Sequence, residues 1–229
     1  MSLVDQLYDA GFHRLARMPA SAAIAEAPQL TSTLAGYPHA LVVANDVELW
    51  PRFVLDYQTS AKLRAQDDPF DAWVEQQIAP LVGERPVFYA HRVYPSPVFP
   101  GSSESGQAYV PMQRIAIASK LVTACKAQLV VHPIVGPWIS LRALVGLTPA
   151  DDVTVPTPHG GLRCTGERCE TALGRVLATR GATWLDWYDV RASCTSPDPR
   201  WRFSDEQALY HYTKDRSVIG TGAKLPQRV

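Results

Sequence analysis

The sequence predicts an α+β fold, with a mainly antiparallel central sheet flanked by helices, in one domain over residues 1–229. Three observations lead there. A chain of 229 residues, 46% of them hydrophobic, is long enough to bury one large core and short for two ordinary ones. Short apolar runs of strand type are interleaved with stretches of helical period. The strands are sparse, and two of them, at 129–131 and 138–145, are separated only by a turn. That pair reads as a hairpin, which argues against a long parallel α/β array.

The elements follow in chain order. Leu3, Leu7, Ala10, Gly11 and Leu15 recur at near-helical spacing before Met18-Pro19, which predicts an N-terminal amphipathic helix over residues 1–18. Ala40-Leu41-Val42-Val43-Ala44 predicts a buried strand. A helix capped by Asn45 or Asp46 should follow, with Pro51 in its first turn. Phe70, Trp73, Val74, Ile78 and Leu81 predict a helix with Asp68 as cap, Pro69 at the first helical position and Gly83 as terminator. Val87, Phe88 and Tyr89 mark a strand within 85–91. After it, Pro95, Pro97, Pro100, Gly101 and the nearby serines predict a long irregular loop, of a kind that often carries function.

From Pro111 onward, Ile115, Ala118, Leu121, Val122 and Cys125 repeat as a helix leading to the 129–131 strand. In the next strand Ile139, Leu141, Ala143 and Val145 alternate against Trp138, Ser140, Arg142 and Leu144. The clearest helix is 167–180, where Cys169, Ala172, Leu173, Val176 and Leu177 form one apolar stripe. Thr165 is its expected cap and Gly181 its terminator. A short helix near 205–212 ends an aromatic-rich tail.

Composition excludes several function classes. Lys plus Arg and Asp plus Glu are both 22, so the chain lacks the basic excess needed to grip phosphate backbones, and nucleic acid is not an expected partner. No stretch approaches the ~20 consecutive apolar residues of a membrane helix, and the N-terminus has no secretory pattern. A soluble, cytoplasmic protein is expected. Cys125, Cys164, Cys169 and Cys194 form no C-x-x-C pair and are too few to staple the chain, which fits thiols in a reducing compartment. Histidines at 13, 39, 91, 132, 159 and 211 are scattered, so no protein-held metal is expected. Dinucleotide, Walker, H-E-x-x-H and G-x-S-x-G motifs are absent.

Three constellations could carry chemistry. His132-Pro133-Ile134-Val135-Gly136-Pro137-Trp138 is a turn whose histidine is held extended by the following proline. From the residues alone, the simpler account is a histidine that bonds a neighbouring loop, with Gly136 permitting the turn. Cys164-Thr165-Gly166-Glu167-Arg168 opens the clearest helix, where backbone N–H groups suit an anion and can lower a thiol pKa. A solvated helix end with Cys164 as a small buried residue is the simpler account there. The aromatic tail, from Trp184 to Arg191 and on through Trp201, Phe203, Tyr210 and Tyr212, could line a flat pocket or simply fill a core. Arg191 and Arg216 are its polar exceptions.

Taken in order and spacing, these segments resemble the CblC-type cobalamin-processing family, proteins that strip the upper axial ligand from incoming cobalamins. His132-Pro133-x-x-Gly136-x-Trp138 followed by Arg142, Pro158-His159, Cys164 to Arg168, and Asp186-Trp187 with Arg191 carry the likeness. So do Phe203-Ser204-Asp205-Glu206-Gln207 and Asp215-Arg216-Ser217-Val218-Ile219-Gly220. Weaker similarity runs back through Asp68-Pro69 and the 41–44 strand to Gly11-Phe12. The Pro- and Ser-rich stretch between His91 and Pro111 departs from the family pattern.

The resemblance implies a flavin-nitroreductase-like fold that binds a corrinoid instead of, or together with, a flavin (FMN or FAD). It implies glutathione-dependent dealkylation and reductive decyanation of cobalamin, with glutathione as co-substrate and a downstream cobalamin-accepting protein as partner. Carried over, His132, Gly136 and Trp138 would contact the cofactor, His132 meeting its displaced nucleotide tail. Arg168, Arg191 and Arg216 would hold the carboxylates of glutathione, as guanidiniums do by bidentate hydrogen bonds. The chain lacks D-x-H-x-x-G, with which other corrinoid domains supply a lower histidine ligand; Val130 stands two residues before His132. A corrinoid carrier without turnover, or a flavin nitroreductase, are the alternative functions.

Overall fold

A computed structural model describes residues 1–95, 107–151, 154–155, 166–194 and 198–226. In chain order the first elements are α1 (Leu3–Asp9), β1 (Arg14–Pro19), α2 (Ala20–Glu26), α3 (Thr31–Leu34) and β2 (His39–Asn45). Next come α4 (Leu49–Thr59), α5 (Ala61–Arg64), α6 (Pro69–Val82), β3 (Val87–Tyr89), β4 (Val93–Pro95), β5 (Gln107–Tyr109) and α7 (Met112–Ala118). The rest are β6 (Thr123–Ala124), β7 (Val130–Val131), β8 (Ser140–Leu147), α8 (Glu167–Ala178), α9 (Trp184–Ser193) and α10 (Asp205–Thr213). They build two compact units, each drawn from three separated stretches.

The first unit comprises Met1–Asn45, Val74–Val122 and Ser140–Thr157 and holds a four-stranded sheet of order β1-β2-β8-β3. Every ladder in it is antiparallel, as the sequence predicts. From Ala40 to Asn45, β2 is inaccessible on both faces, which is why that run reads as continuously apolar instead of alternating.

The register of β2 against β8 passes from Val43↔Ala143 to Ala44↔Leu141, leaving Arg142 as an extra, bulged residue. Its buried guanidinium donates through Nε to Asn45 Oδ1 at 2.6 Å. Asp151 accepts two hydrogen bonds from Arg85, at 3.0 and 2.6 Å, and one each from the Thr148 N–H and hydroxyl.

Several expectations are corrected here. The predicted N-terminal helix stops at α1, because Ser2 and Asp5 close a capping box at its start and Gly11, at φ 96°, ends it. Leu15 and Met18 then lie in β1, where they are buried at the sheet edge. The helix expected to run to Cys125 ends at Ala118. Lys120 is left-handed (φ 63°), its N–H bonds Ile117 O and the Leu121 N–H bonds Ala116 O, which together make a Schellman turn that sequence period does not reveal. The expected hairpin between 129–131 and 138–145 does not form: β7 pairs with β6, and β8 pairs with β2 and β3. The loop after β3 carries β4 and β5, which pair with each other; residues 96–106 lie outside the described residues.

The second unit comprises Asp46–Trp73, Thr123–Ile139 and Pro158–Val229. Pro51 sits in the first turn of α4, as expected, but Glu48 takes the cap position, while Asp46 accepts the Glu48 N–H at 2.9 Å. Trp50, Phe53, Phe70 and Tyr210 make a ring cluster with centroids 4.9 to 6.4 Å apart. The Tyr210 hydroxyl donates to Asp68 at 2.6 Å, and Lys214 Nζ lies at the same distance from the other carboxylate oxygen. Burial works to raise the pKa of Asp68, but these two donors outweigh it and hold the group at about 2.

Gly83, at φ 58°, follows α6 as predicted; α8 ends earlier than expected, at Ala178, with Thr179 extended (ψ 117°) as its cap, and Gly181, at φ 75°, lies in the turn beyond. Gly166 is the N-cap of α8 at φ 79°, while Thr165 lies outside the described residues. The sequence did not resolve α9, whose apolar residues are spread around the helix.

Asn45→Leu leaves the buried Arg142 guanidinium without this acceptor, and a loss of roughly 2–4 kcal/mol is expected in chemical denaturation. Asp151 is held at about 2, first by Arg85 and then by Thr148, against burial. A lowered carboxylate pKa stabilises the fold fully above the ordinary value near 3.8, and that contribution is lost as pH falls from about 4 toward 2. Asp151→Asn should therefore reduce stability by on the order of 2 kcal/mol at pH 7 and by much less at pH 2, measured as unfolding midpoints at the two pH values.

Candidate functional site

The His132 turn is built by its own side chain. His132 and Gly136 exchange both backbone hydrogen bonds at 2.9 Å, and Gly136 takes φ 62°, which suits glycine. The imidazole Nδ1 accepts the N–H groups of Ile134 and Val135, at 3.1 and 3.4 Å. An Nδ1 that accepts leaves Nε2 as the proton-bearing nitrogen of the neutral ring. His132 is 2% exposed.

Trp138 leaves this turn as a buried ring, in contact with Tyr188 and Phe203 at centroid distances of 6.0 and 5.3 Å. Two guanidiniums sit over it, Arg191 at 5.7 Å and Arg202 at 5.8 Å, within the range of cation–π attraction. Arg191 also lies 5.2 Å from Phe203, and Arg202 donates to the Tyr188 hydroxyl at 3.0 Å. Burial pushes the Arg191 guanidinium below its ordinary pKa, while the Tyr212 hydroxyl that it bonds works the other way. Beside this group is a cavity of about 240 Å³ lined by Trp138, Arg168, Ser193, Cys194 and Arg202 among others. It joins an aromatic wall and two arginines.

Arg168 and Trp138 thus line one cavity, and Arg191 packs on the same indole. Arg216 is elsewhere in the unit, exposed on a turn of 3₁₀ helix and donating to the Gln66 carbonyl at 2.8 Å. Pro158, His159 and Cys164 lie outside the described residues.

A second cavity, of about 480 Å³, is lined by Trp50, Val54, Leu55, Glu206, Gly220 and Lys224 among others. Glu206 is a buried carboxylate that accepts from Trp50 Nε1 at 3.0 Å and from the Gly220 and Gly222 N–H groups at 3.0 and 2.6 Å. The next residue, Gln207, is fully buried, and neither amide atom is hydrogen-bonded among the described residues. Such a group marks a place where water or a ligand completes the bonding. Sequence reasoning singled out neither Arg202 nor Glu206 as a site residue. Their only signal was the Phe203 to Gln207 segment, since a buried acid looks like any helix-start carboxylate until its partners are known.

No family model and no curated protein sequence matches the chain. Among solved structures, the chain resembles a C. elegans B12-trafficking protein CblC, a human MMACHC homologue, with a TM-score of 0.62 and 13% identity. The match covers 99% of this chain and 96% of that one. At this identity the likeness establishes the fold, an α+β architecture of nitroreductase type with an antiparallel central sheet flanked by helices.

Proposed function

We propose that the chain is a cobalamin-processing protein of CblC type, acting as one processing domain that removes the upper axial ligand of a bound cobalamin. The observation that carries this reading is the end-to-end correspondence of fold with a B12-trafficking protein, 99% of one chain on 96% of the other. The order of the His132, Trp138, Arg168, Arg191 and Glu206 segments along the chain supports it independently, because that order is a property of the sequence and owes nothing to the fold.

In this reading the Nε2 proton of His132 is a donor for the displaced nucleotide tail, and Trp138 is a wall of the site. Arg168 faces the cavity that Trp138 and Arg202 line, which suits a carboxylate of glutathione. Arg191 is already committed to the indole and to Tyr212, so its contribution is to hold Trp138 and add positive potential. Each cavity takes a fragment of a corrinoid rather than the whole.

Dealkylation balances as a displacement. The glutathione thiolate attacks the cobalt-bound alkyl carbon, the carbon–cobalt pair returns to cobalt, and the products are the thioether and cob(I)alamin. Decyanation takes one electron from a reduced flavin, which reduces Co(III) to Co(II) as cyanide leaves with the carbon–cobalt bond pair, giving cob(II)alamin and the one-electron-oxidised flavin. Holding the thiolate in line with the carbon–cobalt bond is the main service such a site provides. Among the described residues no helix is long and apolar enough to cross a membrane.

Methylcobalamin mixed with the protein under nitrogen should show a base-off visible spectrum, followed by cob(I)- or cob(II)alamin once glutathione is added. A base-off shift with no turnover would instead identify a carrier, and an unchanged spectrum would end the corrinoid reading. A flavin that co-purifies and turns over a nitroaromatic, without any corrinoid shift, would favour the nitroreductase.

Arg168→Ala should raise the glutathione concentration needed for half-maximal dealkylation by about tenfold or more, the loss of one charge-assisted pair, while cobalamin affinity is unchanged. Arg216→Ala should do the same if that arginine also meets glutathione. His132→Asn keeps an acceptor near the Nδ1 position for the turn amides but removes Nε2, so it should weaken cobalamin binding and spare the glutathione dependence. Equal kinetics for wild type and both arginine variants at subsaturating glutathione would refute the arginine assignment.

A further inference from the structure

Three of the four cysteines are described, and they come from three different elements. Cys125 follows β6 and opens the hairpin turn, where its N–H donates to Leu129 O and its carbonyl accepts from the Gln128 N–H, both at 2.9 Å. Cys169 is in the first turn of α8, and Cys194 is the C-cap of α9. Their Sγ atoms all lie within 4.8 Å of one another, Cys169 and Cys194 buried and Cys125 half-buried, and none is in a disulfide. Ala127, Val131, Val176 and Val190 pack around them.

Isolated buried cysteines serve as small apolar residues. Three sulfurs converging on one point is a different arrangement, since it supplies the soft donors of a thiophilic cation. At a Zn–S distance of ~2.3 Å, the sulfurs of a tetrahedral site stand roughly 3.8 Å apart, so the cluster needs only about an ångström of closure.

The surroundings also bear on the charge that would form. Binding Zn²⁺ to three thiols releases three protons and leaves the cluster with one net negative charge. Lys126, next to Cys125, lays its stem across Gly166: a Cβ on Gly166 would meet Lys126 Cδ at 2.8 Å. The left-handed, side-chain-free Gly166 thereby lets this lysine pass over the start of α8, where it pairs with Glu170 at 3.3 Å. The N-terminal end of α8 favours a thiolate at Cys169, the C-terminal end of α9 works against one at Cys194, and the Lys126 ammonium is shared with Glu170. The Cys169 thiol donates to Gly166 O at 3.3 Å, and that carbonyl also accepts the Glu170 N–H at 2.9 Å, so it remains bonded when the thiol proton leaves.

We propose that Cys125, Cys169 and Cys194 supply three thiolates of a site for a soft d¹⁰ cation, Zn²⁺ in the cell. The site ties the β6–β7 turn to the start of α8 and the end of α9. It is independent of the cobalamin reading, and no step of ligand removal passes through it. The sequence argued against any metal because its histidines are scattered and its cysteines form no C-x-x-C pair.

The protein, purified without oxygen, should bind one equivalent of Zn²⁺. X-ray absorption at the zinc edge should give at least three sulfurs at ~2.3 Å. Co²⁺ in place of Zn²⁺ should show sulfur-to-cobalt charge transfer and the strong visible bands of a tetrahedral site. Each of Cys125→Ser, Cys169→Ser and Cys194→Ser should weaken Zn²⁺ by more than about 100-fold, beyond the effect of losing a second-shell partner, with the far-ultraviolet dichroism retained.

Because a buried cysteine variant can misfold, the zinc-edge spectrum of the wild type decides the matter on its own. A sulfur-free or six-coordinate first shell overturns the proposal. So does a disulfide among the three cysteines in protein whose thiols were blocked at lysis.

Discussion

The double-sided burial of β2 is the constraint on which the first unit depends. A strand with no solvent face needs a partner on each edge and a layer on each side, and its edges are filled by β1, which precedes it, and β8, which arrives about a hundred residues later in sequence. The β2–β8 ladder is thus a long-range contact whose chain-closure entropy must be met before its hydrogen bonds form. The bulge at Arg142 follows from the same ladder. It removes one residue from the pairing and turns a guanidinium onto Asn45 at the end of β2, where a regular strand would have placed another apolar side chain.

Charge is handled locally throughout a chain with no net charge. Arg85 meets Asp151, Lys214 meets Asp68, and the buried Glu206 meets two backbone amides and an indole N–H. With no global field to draw an anion in, binding of a carboxylate ligand must rest on nearby guanidiniums. The structure gathers Arg168, Arg191 and Arg202 around Trp138, and the two that sit over the indole direct their charge at aromatic faces. An arginine stacked on a ring is pre-ordered, so little rotamer freedom remains to be lost when it meets a ligand.

Polar side chains set the local geometry of the second unit as strongly as apolar packing does. His132 organises its own turn through Nδ1, which fixes its tautomer before any ligand arrives. Glu206 gathers the segment around Gly220 and Gly222 against the start of α10, and Tyr210 joins the ring cluster to Asp68. Both Glu206 and Tyr210 reach partners far away along the chain. Gln207 is buried beside Glu206 with neither amide atom bonded among the described residues.

By itself the sequence determined the α+β class, the β2 strand, the bounds of α6, the identity of α8 and the proline–glycine turn at His132. These are features that a local period, a cap or a backbone restriction dictates within a dozen residues. Its resemblance to a known family singled out Trp138 and Arg168 as candidates, and the structure places both on the wall of one cavity. Only the tertiary structure decided what depends on partners far away: that Leu15 and Met18 lie in a strand, that β8 joins β2 instead of its neighbour β7, and that Arg202 joins Trp138. The three cysteines make the point most plainly. Their spacing has no period, and they become a cluster because a hairpin turn, a helix start and a helix end each bring one sulfur to the same place.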